Sequence, residues 1–253
     1  MHVSFLWLLA RLMNETIART WAERAQAELG AAQRFRNIAN HLEERTAPPK
    51  LTQLARKAVQ DEERHAFLCA KVATKWGHRS GFETPKNIDK KPPSSWHNLP
   101  VQDSFLLDMI LTCCITESFN ASLLSSIYAK SKTSEEGRIV HQILKDEVQH
   151  GQLGWAFLQW EAQQRDCTFV SDYLIEMLDL AIRDELFSSH HELASSSYLY
   201  GVMPHQDRLS QFQLTLEEVI CPGFTHFGID ITPIQKWMKN KQRTITNNQE
   251  PRL

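Results

Sequence analysis

No run of lysines or arginines interleaved with aromatics occurs in the 253 residues, which removes the footprint of a nucleic-acid surface. Charge of either sign is not in excess, with 28 basic against 30 acidic residues. The one basic cluster, QKWMKNKQR, reads as a solvated tail. Cysteine is scarce: Cys69, Cys113, Cys114, Cys167 and Cys221 form an odd set with no CxxC spacing, which argues against a disulfide framework or a zinc site. Reduced, buried thiols and a cytoplasmic location are the expectation. Neither a glycine-rich phosphate loop nor a serine nucleophile elbow is present. The opening MHVSFLWLLARLMNETIA lacks a basic n-region and an A-x-A site, and Arg11 interrupts its apolar run. It reads as a lead-in packed on the domain, too short to span a bilayer, and no membrane association is expected.

What is present is helical periodicity. Apolar stripes predict four long helices. The first runs from about Asn14 to Glu44, and Pro48 and Pro49 stop it. The second runs from about Leu51 to Trp76, the third from about Val101 to Lys130, and the fourth to about Gln163. Between the second and third lies GHRSGFETPKNIDKKPPSSWHNLP, too long for a turn and too broken for an element, hence a crossover. Short loop, long crossover, short loop is how two helix hairpins join into a four-helix bundle. The expected fold is therefore all-α, with residues 1–165 as the bundle and its lead-in. Residues 166–253 form a helical extension packed on it, with helices at Ser171–Phe187, Asp207–Ile220 and Pro233–Lys241 and a disordered tail from about 241.

Polar residues break the stripes in a repeated way. Asp61-Glu62-Glu63-Arg64-His65 and Asp146-Glu147-Val148-Gln149-His150 are both D-E-x-x-H. Each is preceded by a glutamate on the inner stripe of the previous helix: Glu28 stands 34 residues before Glu62, and Glu117 30 before Glu147. Residues three apart share a helix face, so each hairpin offers two carboxylates and an imidazole at one height. Several ionised carboxylates in a dry core cost several kcal/mol each in desolvation. Two divalent ions cancel four glutamates, and mixed carboxylate–imidazole donors suit iron, with manganese the alternative. Asp61 and Asp146 are placed to orient the histidines from behind. Glu23, Glu43, Glu44 and Glu63 lie off the stripes and read as solvated.

At these residues the chain resembles the ferritin-like superfamily of bacterioferritin, rubrerythrin and the di-iron oxygenases. AELGAAQRFRNIANHL…APPKLTQLARKAVQDEERHAFLCAKVA and TCCITESFNASLL…ILKDEVQHGQLGWAFLQW look most like bacterial ferritin-like domain proteins, over roughly residues 15–165. The resemblance implies a ferritin-like bundle and two iron ions. Glu28 and Glu117 would be lone carboxylate ligands, and Glu62 with His65 and Glu147 with His150 the paired ones. In the similar multicomponent monooxygenases such aspartates bond the opposite half's histidine, so Asp61 would hold His150 and Asp146 would hold His65. Arg64 has no counterpart in the second copy, where Gln149 stands.

The chemistry so implied is activation of O2 by an oxidase or oxygenase acting on a small organic substrate, supplied by an external electron donor; a homodimer is compatible with it. Small residues near the ligands (Ala25, Ala32, Ala58, Cys69, Cys113, Ala121, Gly154) leave either room for a substrate or close helix packing. Ile143 occupies the position where arylamine N-oxygenases carry a third histidine. Tyr128 stands eleven residues past Glu117, about 16 Å along a helix at ~1.5 Å per residue, too far for a radical beside the metals. Two alternatives are a ferroxidase, peroxide-scavenging or iron-handling protein, without a rubredoxin-like centre because CxxC is lacking, and a structural or interaction module stapled by metal. SHHELA, with His190, His191 and Glu192, reads as a surface turn. His141 lies off the ligand face, and His205 and His226 fall in expected loops.

Overall fold

Every element described in the computed structural model is helical, and no strand occurs among the described residues, which are 2–79, 93–182 and 195–239, with side chains from residue 11. Part of the crossover, SHHELA with its His190, His191 and Glu192, and the tail from about 241 lie outside them.

Helix α1 spans His2–Glu44 and α2 spans Pro49–Lys75. The lead-in is thus continuous with the first helix, which begins well before Asn14. The break between them is four residues long: Thr46 turns the chain at φ 51°, and Pro49 opens α2, where its missing N–H and fixed φ suit a first turn. The arms run antiparallel, because ion pairs Glu43–Arg56 and Arg36–Glu63 step away from the turn on both sides.

The third rod, Val101–Ser131, comprises α3 (Val101–Met109), a π-helical segment (Ile110–Glu117) and α4 (Ser118–Ser131). Helix α5, Glu135–Ala162, returns along it, capped at its start by the Ser134 hydroxyl accepting from Gly137 N. Successive contacts fix this hairpin as antiparallel: Tyr128 stacks on His141 at 4.2 Å, Gly151 faces Ser118 and Gly154 faces Cys113. The two hairpins join along α2 and α5. By length and composition Val101–Ser131 could cross a membrane, with mean hydropathy 1.3, and half of that stretch is buried inside the protein.

The C-terminal third packs on these rods. Helix α6 (Leu174–Ile182) lies against the π segment and α7 (His205–Thr215) against α4. A 3-10 turn, Ser195–Tyr200, sits over α1, where the Trp21 indole donates to the Tyr200 carbonyl at 2.8 Å. A β-carbon at Gly201 would approach that indole to 2.5 Å. Helix α7 runs on through a second π segment (Leu216–Ile220) into α8 (Cys221–His226), and residues 232–239 are helical. Sequence placed a break at CPGF. The π turn before Pro222 supplies the irregularity that a proline needs inside a helix. His205 correspondingly opens α7 and His226 closes α8, rather than lying in loops.

The apolar core is in two parts, and all four rods pass from one to the other. On α1 the change falls between Ala25 and Ala31, on α2 between Ala58 and Cys69, on the third rod between Phe119 and Leu124, and on α5 between Ile143 and Leu153. Glu28, Glu62, His65, Glu147 and His150 lie inside these gaps; Glu117 lies at the edge of its own, just before Phe119. The core is interrupted at a single level by buried polar groups.

Close helix contact holds that level together. A β-carbon on Gly154 would lie 2.5 Å from Cys113 Cβ and 2.8 Å from the Cys114 backbone nitrogen. At Gly154 the small-residue stripe therefore serves helix approach. Gly154→Ala should destabilise the protein by roughly 1–3 kcal/mol, the usual cost of overpacking, in urea unfolding monitored by circular dichroism. An unchanged midpoint would show that this contact is not close.

Candidate metal centre

Helix α1 contributes Glu28, α2 contributes Glu62 and His65, the π segment ends on Glu117, and α5 contributes Glu147 and His150. All six are buried, and Glu28, at 7% exposure, is the least so. Their donor atoms form two groups, each with all atoms within 4.8 Å of one another: Glu28, Glu62, His65 and Glu147, and Glu62, Glu117, Glu147 and His150. The carboxylates Glu62 and Glu147 belong to both. Each group then has one lone glutamate and one histidine of its own, which is a donor set for two adjacent divalent ions.

Each histidine turns one nitrogen inward and one outward. His65 Nδ1 lies 3.5 Å from Glu62 and 3.5 Å from Glu147, while Nε2 lies 3.2 Å from Asp146 Oδ2. His150 Nδ1 lies 2.9 Å from Glu62 and 3.3 Å from Glu147, and Nε2 lies 3.5 Å from Asp61. The aspartate–histidine pairs cross between halves. Because the segments pair 61 with 150 and 65 with 146, α2 and α5 run antiparallel at the site.

Short distances here do not mean hydrogen bonds. Both oxygens of Glu62, Glu117 Oε1, Glu147 Oε2, His65 Nδ1 and both ring nitrogens of His150 are buried without an acceptably oriented partner. Groups that approach one another yet do not bond are aimed at shared space, as metal ligands are. Polar atoms so placed cost about 1–3 kcal/mol each when unsatisfied, which makes a cation the economical resident.

Two cations outside the cluster brace it. Lys57 Nζ lies 2.6 Å from Asp61 and 3.6 Å from Asp146; Arg64 Nη2 lies 3.0 Å from Asp61 and 2.6 Å from Asp146. A single arginine therefore serves both motifs, and Gln149 has no such duty to share. Asn120 donates to Glu117 at 3.3 Å, and the Phe35 ring packs 5.0 Å from His150. Phe35 falls on the apolar stripe of the first helix, but nothing in the sequence marked its contact with His150, the Asn120 bond to Glu117 or the hold of Lys57 on the aspartates. The π turn that carries Glu117 also went unseen, although such turns recur at functional sites. Tyr128 and His141 stack on each other, away from the six.

The metal-free protein balances its charge with protons. Burial, then the carboxylates of Glu62 and Glu147, push the Glu28 carboxyl well above the ordinary range. Burial, then Glu147 and Glu62, do the same to Glu117. Burial also works against ionised Glu62 and Glu147, but the two histidines outweigh it and hold both below the ordinary carboxylate range. The histidines rise against their own burial: His65 to about 9 through Glu147 and Glu62, and His150 to about 12 through Asp61, Glu147 and Glu62. Two neutral acids, two carboxylates and two imidazoliums sum to zero, and so do four carboxylates, two imidazoles and two divalent ions.

Two expectations follow from this geometry. Loading two divalent ions should release about four protons per chain, one each from Glu28, Glu117, His65 and His150, because the ligating forms are deprotonated. Both histidine values lie above neutrality, so protons compete with metal and affinity should rise with pH. The rise should be steepest up to about 9, where metal displaces a proton from both histidines, and less steep beyond, where only His150 keeps its proton. Calorimetry in buffers of different ionisation enthalpy reads the proton count, and zero release would contradict the charge balance. Secondly, Arg64→Ala should weaken metal binding about tenfold, the scale of a lost outer partner. Asp146 would suffer more than Asp61, which Lys57 still holds at 2.6 Å. An unchanged dissociation constant would make the bridge incidental. No protein-family model, curated protein or solved structure matches the chain.

Proposed function

We propose that this is a non-haem di-iron protein built on a ferritin-like four-helix bundle, activating O2 as an oxidase or oxygenase on a small organic substrate. The observation that carries the reading is the sharing of Glu62 and Glu147 between two buried donor groups. Two ferrous ions held side by side would supply two of the electrons that O2 reduction needs, the others coming from an external donor. Manganese fits the same donors.

The chain's own residues then have distinct work. Glu62 and Glu147 would be shared between the two ions, and Glu28 and Glu117 would each serve one of them. Asp146 accepts from Nε2–H of His65 at 3.2 Å and Asp61 stands 3.5 Å from Nε2 of His150, an arrangement that would favour the tautomer whose Nδ1 lone pair faces a bound metal. The apolar layers above and below, from Trp21 and Ala25 to Phe35 and Phe157, keep bulk water from the centre. The C-terminal third, laid over α4, α5 and the π segment, favours an enzyme covered on its flanks over a bare storage bundle.

A second reading is iron handling by a ferroxidase, which the same two donor groups would also serve.

Anaerobic protein loaded with Fe(II) and then exposed to O2 separates the readings. Binding of two irons per chain, with O2 consumed and consumption accelerated by added organic substrates, is the expected outcome. Uptake of many irons per chain would favour iron handling. Glu62→Gln and Glu147→Gln should each lower the stoichiometry below two, and wild-type protein that binds no iron, manganese or cobalt would remove both readings.

A further inference from the structure

The repeat makes the two halves look equivalent, but their surroundings are not. Glu117 is 1% exposed and receives the Asn120 amide at 3.3 Å. It stands on a segment locked to α5 by the Cys113–Gly154 contact. Its partner His150 is wedged by Phe35. On the other side Glu28 is the most exposed donor, and among the described residues no donor from outside the cluster reaches it. The aspartates do not separate the two positions, since Asp146 lies 3.2 Å from His65 and 2.6 Å from Arg64 while Asp61 lies 3.5 Å from His150 and 2.6 Å from Lys57. The lone glutamates do.

We infer that the two metal positions are unequal: the one between Glu117 and His150 fills first and holds its ion, and the one between Glu28 and His65 is the exchangeable position. The inference rests on the di-metal reading above. Its physical basis is preorganisation. A ligand already fixed by packing and hydrogen bonds loses less freedom when it binds, and an outer partner is worth about 10–100-fold in metal affinity. The shared carboxylates make the order matter, since the first ion takes up part of the negative charge of Glu62 and Glu147. The second ion then meets a cluster with less charge, at the position with looser ligands and nearer solvent.

Titration with Co(II), followed by visible absorption and calorimetry, tests the order. Wild-type protein should bind two ions in two steps whose dissociation constants differ about tenfold or more. Glu28→Gln should keep one ion at the affinity of the first step. Glu117→Gln should weaken that first step, and so should Asn120→Ala, by about tenfold, which covers the case where Glu117→Gln disturbs the fold, judged by circular dichroism. Two indistinguishable steps, or loss of the tight step in Glu28→Gln with its retention in Glu117→Gln, would overturn the inference while leaving two metals bound. An unchanged first step in Asn120→Ala would also overturn it. Failure of wild-type protein to bind Co(II) at all would instead overturn the di-metal reading.

Discussion

Electroneutrality at one buried level governs this molecule. Four rods carry continuous apolar stripes, and each breaks its stripe where the others do. A carboxylate alone at that depth would be driven to protonate, and four together could not all ionise without cations among them. The arrangement tolerates them because every charge has an opposite one within a few ångströms. The imidazoliums supply it when protons are bound, and on the proposed reading divalent ions would supply it in their place. The same six side chains thus satisfy two states of equal net charge, which lets one backbone serve both.

That constraint reaches outward through the aspartates. Each histidine must present Nδ1 inward, so Nε2–H must find an acceptor behind it, and the acceptor comes from the other hairpin. Asp61 and Asp146 thereby join α2 to α5 at the level where the hairpins meet. The aspartates in turn need cations, and α2 alone provides Lys57 and Arg64. A pseudo-symmetric centre is held by an asymmetric brace. Farther from the centre, Arg45 forms an ion pair with the buried Glu161 at 2.6 Å, and Arg165 pairs with both Glu161 and Asp103, tying the turn after α1 to α3 and α5 at one end of the core. Lys75 with Glu135 and Glu136 does the same for α2 and α5 at the other.

Much of this was legible because it depends on spacing. The three-residue separation within Glu62–His65 and Glu147–His150, and the stripe positions of Glu28 and Glu117, survive any small error in helix ends. The crossing of Asp61 to His150 and Asp146 to His65 came from resemblance, and the coordinates place those atoms together. What escaped depends on local backbone or on asymmetry. The π turn at Ile110–Glu117 leaves Ile110, Cys113 and Glu117 on a readable stripe, so periodicity gives no warning of it; the Thr116 hydroxyl bonding back five residues to the Leu111 carbonyl is visible only in three dimensions. Pro222 read as a helix stop because the relieving turn before it was equally silent. Arg64 looked unmatched because the two motifs were compared as separate copies, whereas in space they share it.

The lone and the paired donors come from different elements. Glu28 stands on α1 and Glu117 on the third rod, whereas Glu62, His65, Glu147 and His150 stand on α2 and α5, which pack on each other. The Asp–Arg–Lys brace covers the histidine side with ion pairs whose Lys57 and Arg64 side chains are 48% exposed, so each pair alone contributes little and the network carries the effect. On the proposed reading, protons would exchange with solvent on that side, where the Asp146 side chain is 16% exposed.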